Sequence, residues 1–145
     1  MTDKLVVKIK QIDGDVAIPK YQTSGSVGCD VHAAHNMTIH ATCRELIGTG
    51  LFLEIPPGWE AQVRPRSGLA INCGVTVLNS PGTIDSDFRH EIKVILYNSS
   101  DERVFIKKGD RIAQLVFVPA FQAVFEEVEE LSTTDRAGGF GSTGK

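Results

Sequence analysis

Short apolar runs set off by turn residues recur along the chain: Leu5–Lys10, Met37–His40, Leu51–Ile55, Glu60–Pro65, Val75–Leu78, Glu91–Asn98, Val104–Lys107 and Arg111–Pro119. Their lengths and their valine, isoleucine and phenylalanine content predict strands rather than helices. Pro56-Pro57-Gly58, Pro81-Gly82, Asn98-Ser99-Ser100-Asp101 and Lys108-Gly109-Asp110 punctuate them as turns. Short strands at this spacing predict an all-β, jelly-roll-like barrel. Ser67–Ile71 lacks alternation and is expected to form a short helical turn. Phe121–Leu131 is read as a final strand, although Phe121, Val124, Phe125 and Val128 also fall near helical spacing. From Arg136 onward the chain turns glycine-rich, and packing of its own side chains cannot offset the entropy of ordering it. The expected organisation is one β domain over 1–135 followed by a flexible arm over 136–145.

With 145 residues, 41% of them hydrophobic and 23% charged, the chain is long enough to bury roughly 68–70% of its unfolded surface without disulfide staples. Fifteen Lys and Arg against eighteen Asp and Glu leave a net charge of −3, which supplies no global field for a nucleic-acid backbone. An anionic ligand must be met by local groups. Cys29, Cys43 and Cys73 show neither a C-x-x-C pair nor metal-finger spacing, so reduced thiols in a cytoplasmic setting are expected. Met1–Lys10 alternates lysine with apolar residues instead of forming an export signal. No apolar run reaches the length of a membrane span.

Four segments are candidates for chemistry. In the tail, successive glycines let backbone N–H groups converge on an anion, with Ser142 and Thr143 as further donors, Arg136 at one end and Phe140 free to stack. Gly139–Lys145 has the spacing G-x-x-x-x-G-K, yet neither the Ser/Thr that binds magnesium nor a helix follows, so a P-loop is not expected. Pro65-Arg66-Ser67-Gly68 follows a predicted strand and offers a guanidinium fork, a hydroxyl and a backbone N–H to a phosphate. In Gly82–Arg89, Asp85 and Asp87 share a face of an extended segment, which suits a general base, although an isolated D-x-D is more often a solvated turn. Asp30, between a glycine turn and a strand, is either a turn former or a group near the water shell of a hard cation. His32, His35, His40 and His90 show no metal-binding period.

Taken in order, Gly28-Cys29-Asp30-Val31-His32-Ala33-Ala34, Pro65–Ala70, Gly82–Arg89, Gly109-Asp110-Arg111-Ile112-Ala113-Gln114-Leu115 and Gly138–Gly144 resemble the five motifs of the trimeric dUTP pyrophosphatases. The resemblance spans residues 28–144 and rests on the joint occurrence of all five. It implies a jelly-roll β-barrel of the dUTPase type, assembled as a homotrimer whose three active sites are each shared by all chains. It also implies hydrolysis of dUTP to dUMP and pyrophosphate with Mg²⁺ on the triphosphate, limiting uracil incorporation into DNA and supplying dUMP for thymidylate synthesis. Asp30 would then reach the metal through water, Arg66, Ser67 and Gly68 bind phosphate, Asp85 act as general base, and Gln114 help hold the attacking water. Asn79 with a neighbouring hairpin backbone would read uracil, with Thr83, Ile84 and Lys93 as further substrate contacts. Phe88 would pack on deoxyribose, and Arg136, Phe140, Gly141, Ser142 and Thr143 would close on the nucleotide. No nucleic-acid or membrane partner is implied.

Three departures from the family pattern stand out. Phe88 replaces a usual tyrosine, His90 replaces a usual glycine and would be strained at positive φ, and the fifth motif is one residue short between Arg136 and Phe140. A dCTP deaminase, which shares the fold, and a dUTPase-like binding module without turnover are the competing readings.

Overall fold

A computed structural model describes residues 4–144. Eleven strands and one helix occur among the described residues: β1 Lys8–Gln11, β2 Cys29–His32, β3 Met37–Ile39, β4 Arg44–Gly48, β5 Leu51–Glu54, β6 Trp59–Arg64, α1 Ser67–Cys73, β7 Val75–Val77, β8 Gly82–Ile84, β9 Lys93–Asn98, β10 Val104–Ile106 and β11 Arg111–Pro119. Every pairing is antiparallel, in sheets ordered β1-β5, β3-β10, β2-β11-β6-β8 and β4-β9-β7. The all-β, jelly-roll-like class is therefore as expected, but the hydrogen-bonded ladders stay in four separate sheets and close no barrel. Short strands of this kind break their ladders at each turn instead of running around a continuous wall.

Alternation builds the core. In β6, Ala61 and Val63 point inward while Glu60, Gln62 and Arg64 point outward, and in β9 Val94, Leu96 and Asn98 are the buried face. Val31, Ile39, Ile47, Leu51, Ile55, Leu96, Ile112 and Leu115 are almost wholly withdrawn from water. Burying each such side chain contributes about 1.5–3 kcal/mol relative to exposure. Buried Asn98 is held by the carbonyls of Ile39, His40 and Glu102, to which its amide donates at 3.1, 3.3 and 2.7 Å.

The expected helical turn after β6 is a true α-helix. It begins after Arg66 in extended conformation and ends at Gly74, whose φ of 67° is left-handed and whose N–H donates back to Ala70. A side chain at that position would be strained, so glycine is what stops the helix there.

One expectation fails, and one conditional strain does not arise. Phe121–Leu131 forms neither strand nor helix, and Phe121, Val124 and Phe125 are more than 90% exposed. No edge within the described residues takes this segment up, so its periodicity finds no surface to bury against. His90 is not strained: Thr42 and Phe140 are the non-glycine residues with positive φ among those described. The φ of His90 is not in the left-handed region, so the condition for strain there is not met.

Candidate active site

The functional corner is built on one solvent-facing side of the β2-β11-β6-β8 sheet. β11 is its long strand, paired with β2 on one side and β6 on the other. Simple alternation along β11 would put Arg111 and Gln114 on opposite faces, because they are three residues apart. A bulge prevents this. Arg111 pairs with His32 and Ala113 with Val31, so Ile112 is an extra residue, and Gln114 then falls opposite Asp30. Partners across a ladder share a face, so Asp30, His32, Arg111 and Gln114 all project to the same side.

Arg66 folds back over this face from the end of β6. Its Nε donates to Asp30 Oδ1 at 3.1 Å, Arg111 Nη1 donates to Asp30 Oδ2 at 3.4 Å, and Arg66 Nη1 donates to the Arg111 carbonyl at 3.4 Å. One half-buried carboxylate thus fixes two guanidinium groups side by side. Each keeps free N–H donors in a rigid fork, which suits phosphate oxygens. Gln114 Nε2 donates to the Pro65 carbonyl at 3.0 Å, tying β11 to the residue before Arg66. Burial holds the His32 imidazole below its ordinary pKa; the Asp30 carboxylate opposes this and the cations of Arg111 and Arg66 reinforce it. Its Nδ1 is buried and has no hydrogen-bond partner among the described residues.

A second feature lies elsewhere on the chain. A cavity of about 620 Å³ is lined by Asn79, Gly82, Thr83, Ile84, Phe88, His90 and Lys93, with Phe52 and the apolar residues of β9 behind them. Asn79 sits in the turn before β8, where Gly82 leaves room for it: a Cβ there would come within 3.2 Å of Asn79 Nδ2. The Phe88 ring meets the His90 imidazole edge-on, centroids 5.6 Å apart. Lys93 lies 3.8 Å from Glu91, whose Oε1 accepts the Gly50 N–H at 2.9 Å. Asp85 follows β8 directly and is exposed at its end, beside a neighbouring cavity lined by Trp59, Asp87 and Phe121.

The sequence-predicted residues therefore fall into three groups. Asp30, Arg66 and Gln114 converge, and Ser67 and Gly68 open α1 directly beside Arg66. Asn79, Thr83, Ile84, Phe88 and Lys93 share the cavity. Arg136, Phe140, Gly141, Ser142 and Thr143 reach neither: Arg136 Nε turns back to the Gly138 carbonyl, and the Phe140 side chain is fully exposed. Asp85 and Arg66 are also held apart. Ile84 pairs with Ala61, so Asp85 lies at the Glu60 end of β6, while Arg66 lies beyond the opposite end. Six extended residues separate them, about 20 Å. Arg111 is the residue that reading the sequence missed, since only the bulge at Ile112 turns it toward Asp30.

Among the described residues no group of three or more His, Cys, Asp or Glu side chains could cage a metal. Asp30 alone, with part of its acceptor capacity taken up by two arginines, fits a divalent cation only at one remove, through a water that the remaining lone pairs accept.

The paired arginines on Asp30, the cavity around Asn79 and the exposed Asp85 are thus three separate features of one all-β chain. The dUTPase family model matches residues 14–144. The deoxyuridine 5'-triphosphate nucleotidohydrolase of Nautilia profundicola is 57% identical over 140 residues, 96% of this chain and 99% of its own. That of Helicobacter hepaticus is 54% identical over 145 residues, 99% of this chain and 92% of its own. A Staphylococcus bacteriophage 80alpha dUTPase mutant solved with dUpNHpp shares the fold, with a TM-score of 0.88 at 23% identity over 96% of this chain and 98% of that one. The chain belongs to the dUTPase family. No helix among the described residues is long and apolar enough to cross a membrane.

Proposed function

We propose that the protein hydrolyses dUTP to dUMP and pyrophosphate in a homotrimer whose sites are each shared between chains. The observation that carries this reading is the convergence of Asp30, Arg66, Arg111 and Gln114 on one face, in a chain of the dUTPase family, about 20 Å from the Asp85 of the same chain. Reacting groups must approach to about 3–3.5 Å. Asp85 of one chain therefore serves the arginine corner of another, and a heterologous contact repeated three times closes a ring.

In that site Asp85 takes the proton of a water held by Gln114. The water oxygen bonds to the α-phosphorus as the bond to the bridging oxygen breaks, and pyrophosphate leaves with that electron pair. Arg66, with the Ser67 hydroxyl and the Gly68 N–H, binds the phosphates, and Arg111 stands beside it. Mg²⁺ carried on the triphosphate would offset the charge that repels the nucleophile. Asp30 would hold that ion through water, and it keeps both guanidinium groups in place.

Asn79 and the backbone around β8 read uracil, Thr83, Ile84 and Lys93 hold the rest of the nucleoside, and Phe88 packs on deoxyribose. A base with the wrong edge leaves buried donors and acceptors unpaired, a penalty that reaches roughly 10⁴-fold. The arm over 136–145, separate from the 1–135 domain, closes from a third chain, with Phe140 on the base and Arg136, Gly141, Ser142 and Thr143 on the phosphates. The product pools and the three free cysteines fit a cytoplasmic setting. No nucleic acid or membrane takes part.

The test is magnesium-dependent pyrophosphate release from dUTP set against dTTP, dCTP and UTP. Release confined to dUTP is the expected result. Ammonia from dCTP, or tight dUTP binding without turnover, would replace this reading with one of its competitors.

A further inference from the structure

Gly28 immediately precedes β2, and its backbone is not in the left-handed region that six other glycines occupy. Conformational freedom is therefore not what this position needs. Space is. A Cβ built on Gly28 would lie 2.1 Å from Gln114 Oε1, 2.9 Å from its Cδ and 3.4 Å from its Cβ. Ordinary contacts between such atoms are about 3.5–4.0 Å, so the carboxamide would have to move by more than an ångström.

The carboxamide is not free to do so. Its Nε2 donates to the Pro65 carbonyl at 3.0 Å. A backbone carbonyl only accepts, so the nitrogen faces Pro65 and the oxygen faces Gly28. Among the described residues Oε1 accepts no hydrogen bond from another side chain, and it is left to accept one from water. Swinging the group away from a new methyl at residue 28 would either stretch the Pro65 bond or turn that oxygen off its line.

We propose that Gly28 is a positioning residue for the hydrolysis, its missing side chain setting where the Gln114 carboxamide oxygen meets the attacking water. The inference rests on the reading of Gln114 as the group that holds this water. Misplacing a reacting group by an ångström can cost about 100-fold in rate. Gly28→Ala is therefore expected to lower kcat by roughly 10–100-fold while KM and the affinity for dUpNHpp change little.

The test is a double-mutant cycle of Gly28→Ala and Gln114→Ala, read in kcat, in dUpNHpp binding and in thermal unfolding. If Gly28 acts through Gln114, the double variant is no slower than Gln114→Ala alone. Additive losses, or a Gly28→Ala enzyme with unchanged kcat beside a slow Gln114→Ala, overturn the proposal and leave the reading of Gln114 standing. A Gln114→Ala enzyme at full rate removes the glutamine from the reaction and the proposal with it. Should Gly28→Ala alone fail to fold, the same contact is read in stability: removing the Gln114 side chain relieves the overlap, so the double variant regains the Tm of Gln114→Ala. Failure to regain it overturns the proposal.

Discussion

At Asp30 one carboxylate holds two arginines, so its removal frees both forks at once instead of deleting a single contact. Asp85 has the opposite character: it is exposed at a strand end, and its side chain makes no hydrogen bond or ion pair among the described residues. Asp85→Asn is accordingly expected to fold and assemble normally, to keep most of its affinity for dUpNHpp, and to lose about 10²–10⁴-fold in kcat. Steady-state kinetics beside analogue binding would show that split. His32 is a second residue whose environment sets a measurable property. Its folded pKa lies below the unfolded value of 6.5 chiefly through burial, so protons bind the unfolded chain more tightly. Its contribution to stability is complete above about pH 6.5 and is lost as pH falls through that value toward the folded pKa. Thermal unfolding followed between about pH 7.5 and 5 should show a steeper acid-side loss for the wild type than for His32→Gln.

Among the elements, the strand that ends at Asn98 depends on one amide for three carbonyls of neighbouring segments. Asn98→Ala would leave these acceptors unpaired in a buried place. A loss on the order of 2–4 kcal/mol is expected, seen as a Tm roughly 5–15 °C lower. How far elements can be read from sequence varies with the chemistry of each. Arg111–Pro119 was legible to the residue, because a long run of branched and aromatic side chains on a strand buried on both edges has no other plausible conformation. β2, β4 and β8 were not, since Cys29–His32 and Arg44–Gly48 are half polar and Gly82–Ile84 is three residues inside a turn-rich stretch. Their ladders come from partners distant in sequence. The bulge at Ile112 is invisible for the same reason: nothing local marks the extra residue, so Arg111 reads as though it pointed away from Asp30.

For the molecule as a whole, the motif order named the family and the residues, while the distances between them came only from the folded chain. Asp85, Arg66 and Phe140 read as one site along the sequence, yet one subunit keeps them apart. The proposed division of the site among chains makes a direct prediction. Asp85→Asn and Arg66→Ala proteins, each inactive alone, should recover activity when co-expressed, because about a quarter of the sites in a random three-chain ring draw an intact residue from each neighbour. Recovery absent in mixed trimers of verified composition would place both groups in one chain's site. Truncation after Thr134 is expected to leave assembly intact while slowing turnover strongly, measured by light scattering beside dUTP hydrolysis.

The stretch after β11 carries Phe121, Val124, Phe125 and Leu131 in the open. If the proposed trimer covers this strip, a newly made polypeptide is adhesive until its companions arrive. Its hazard period would then be set by encounter rate and shorten as more copies are made, so scarce synthesis would expose each copy longest to proteases and to unwanted clumping.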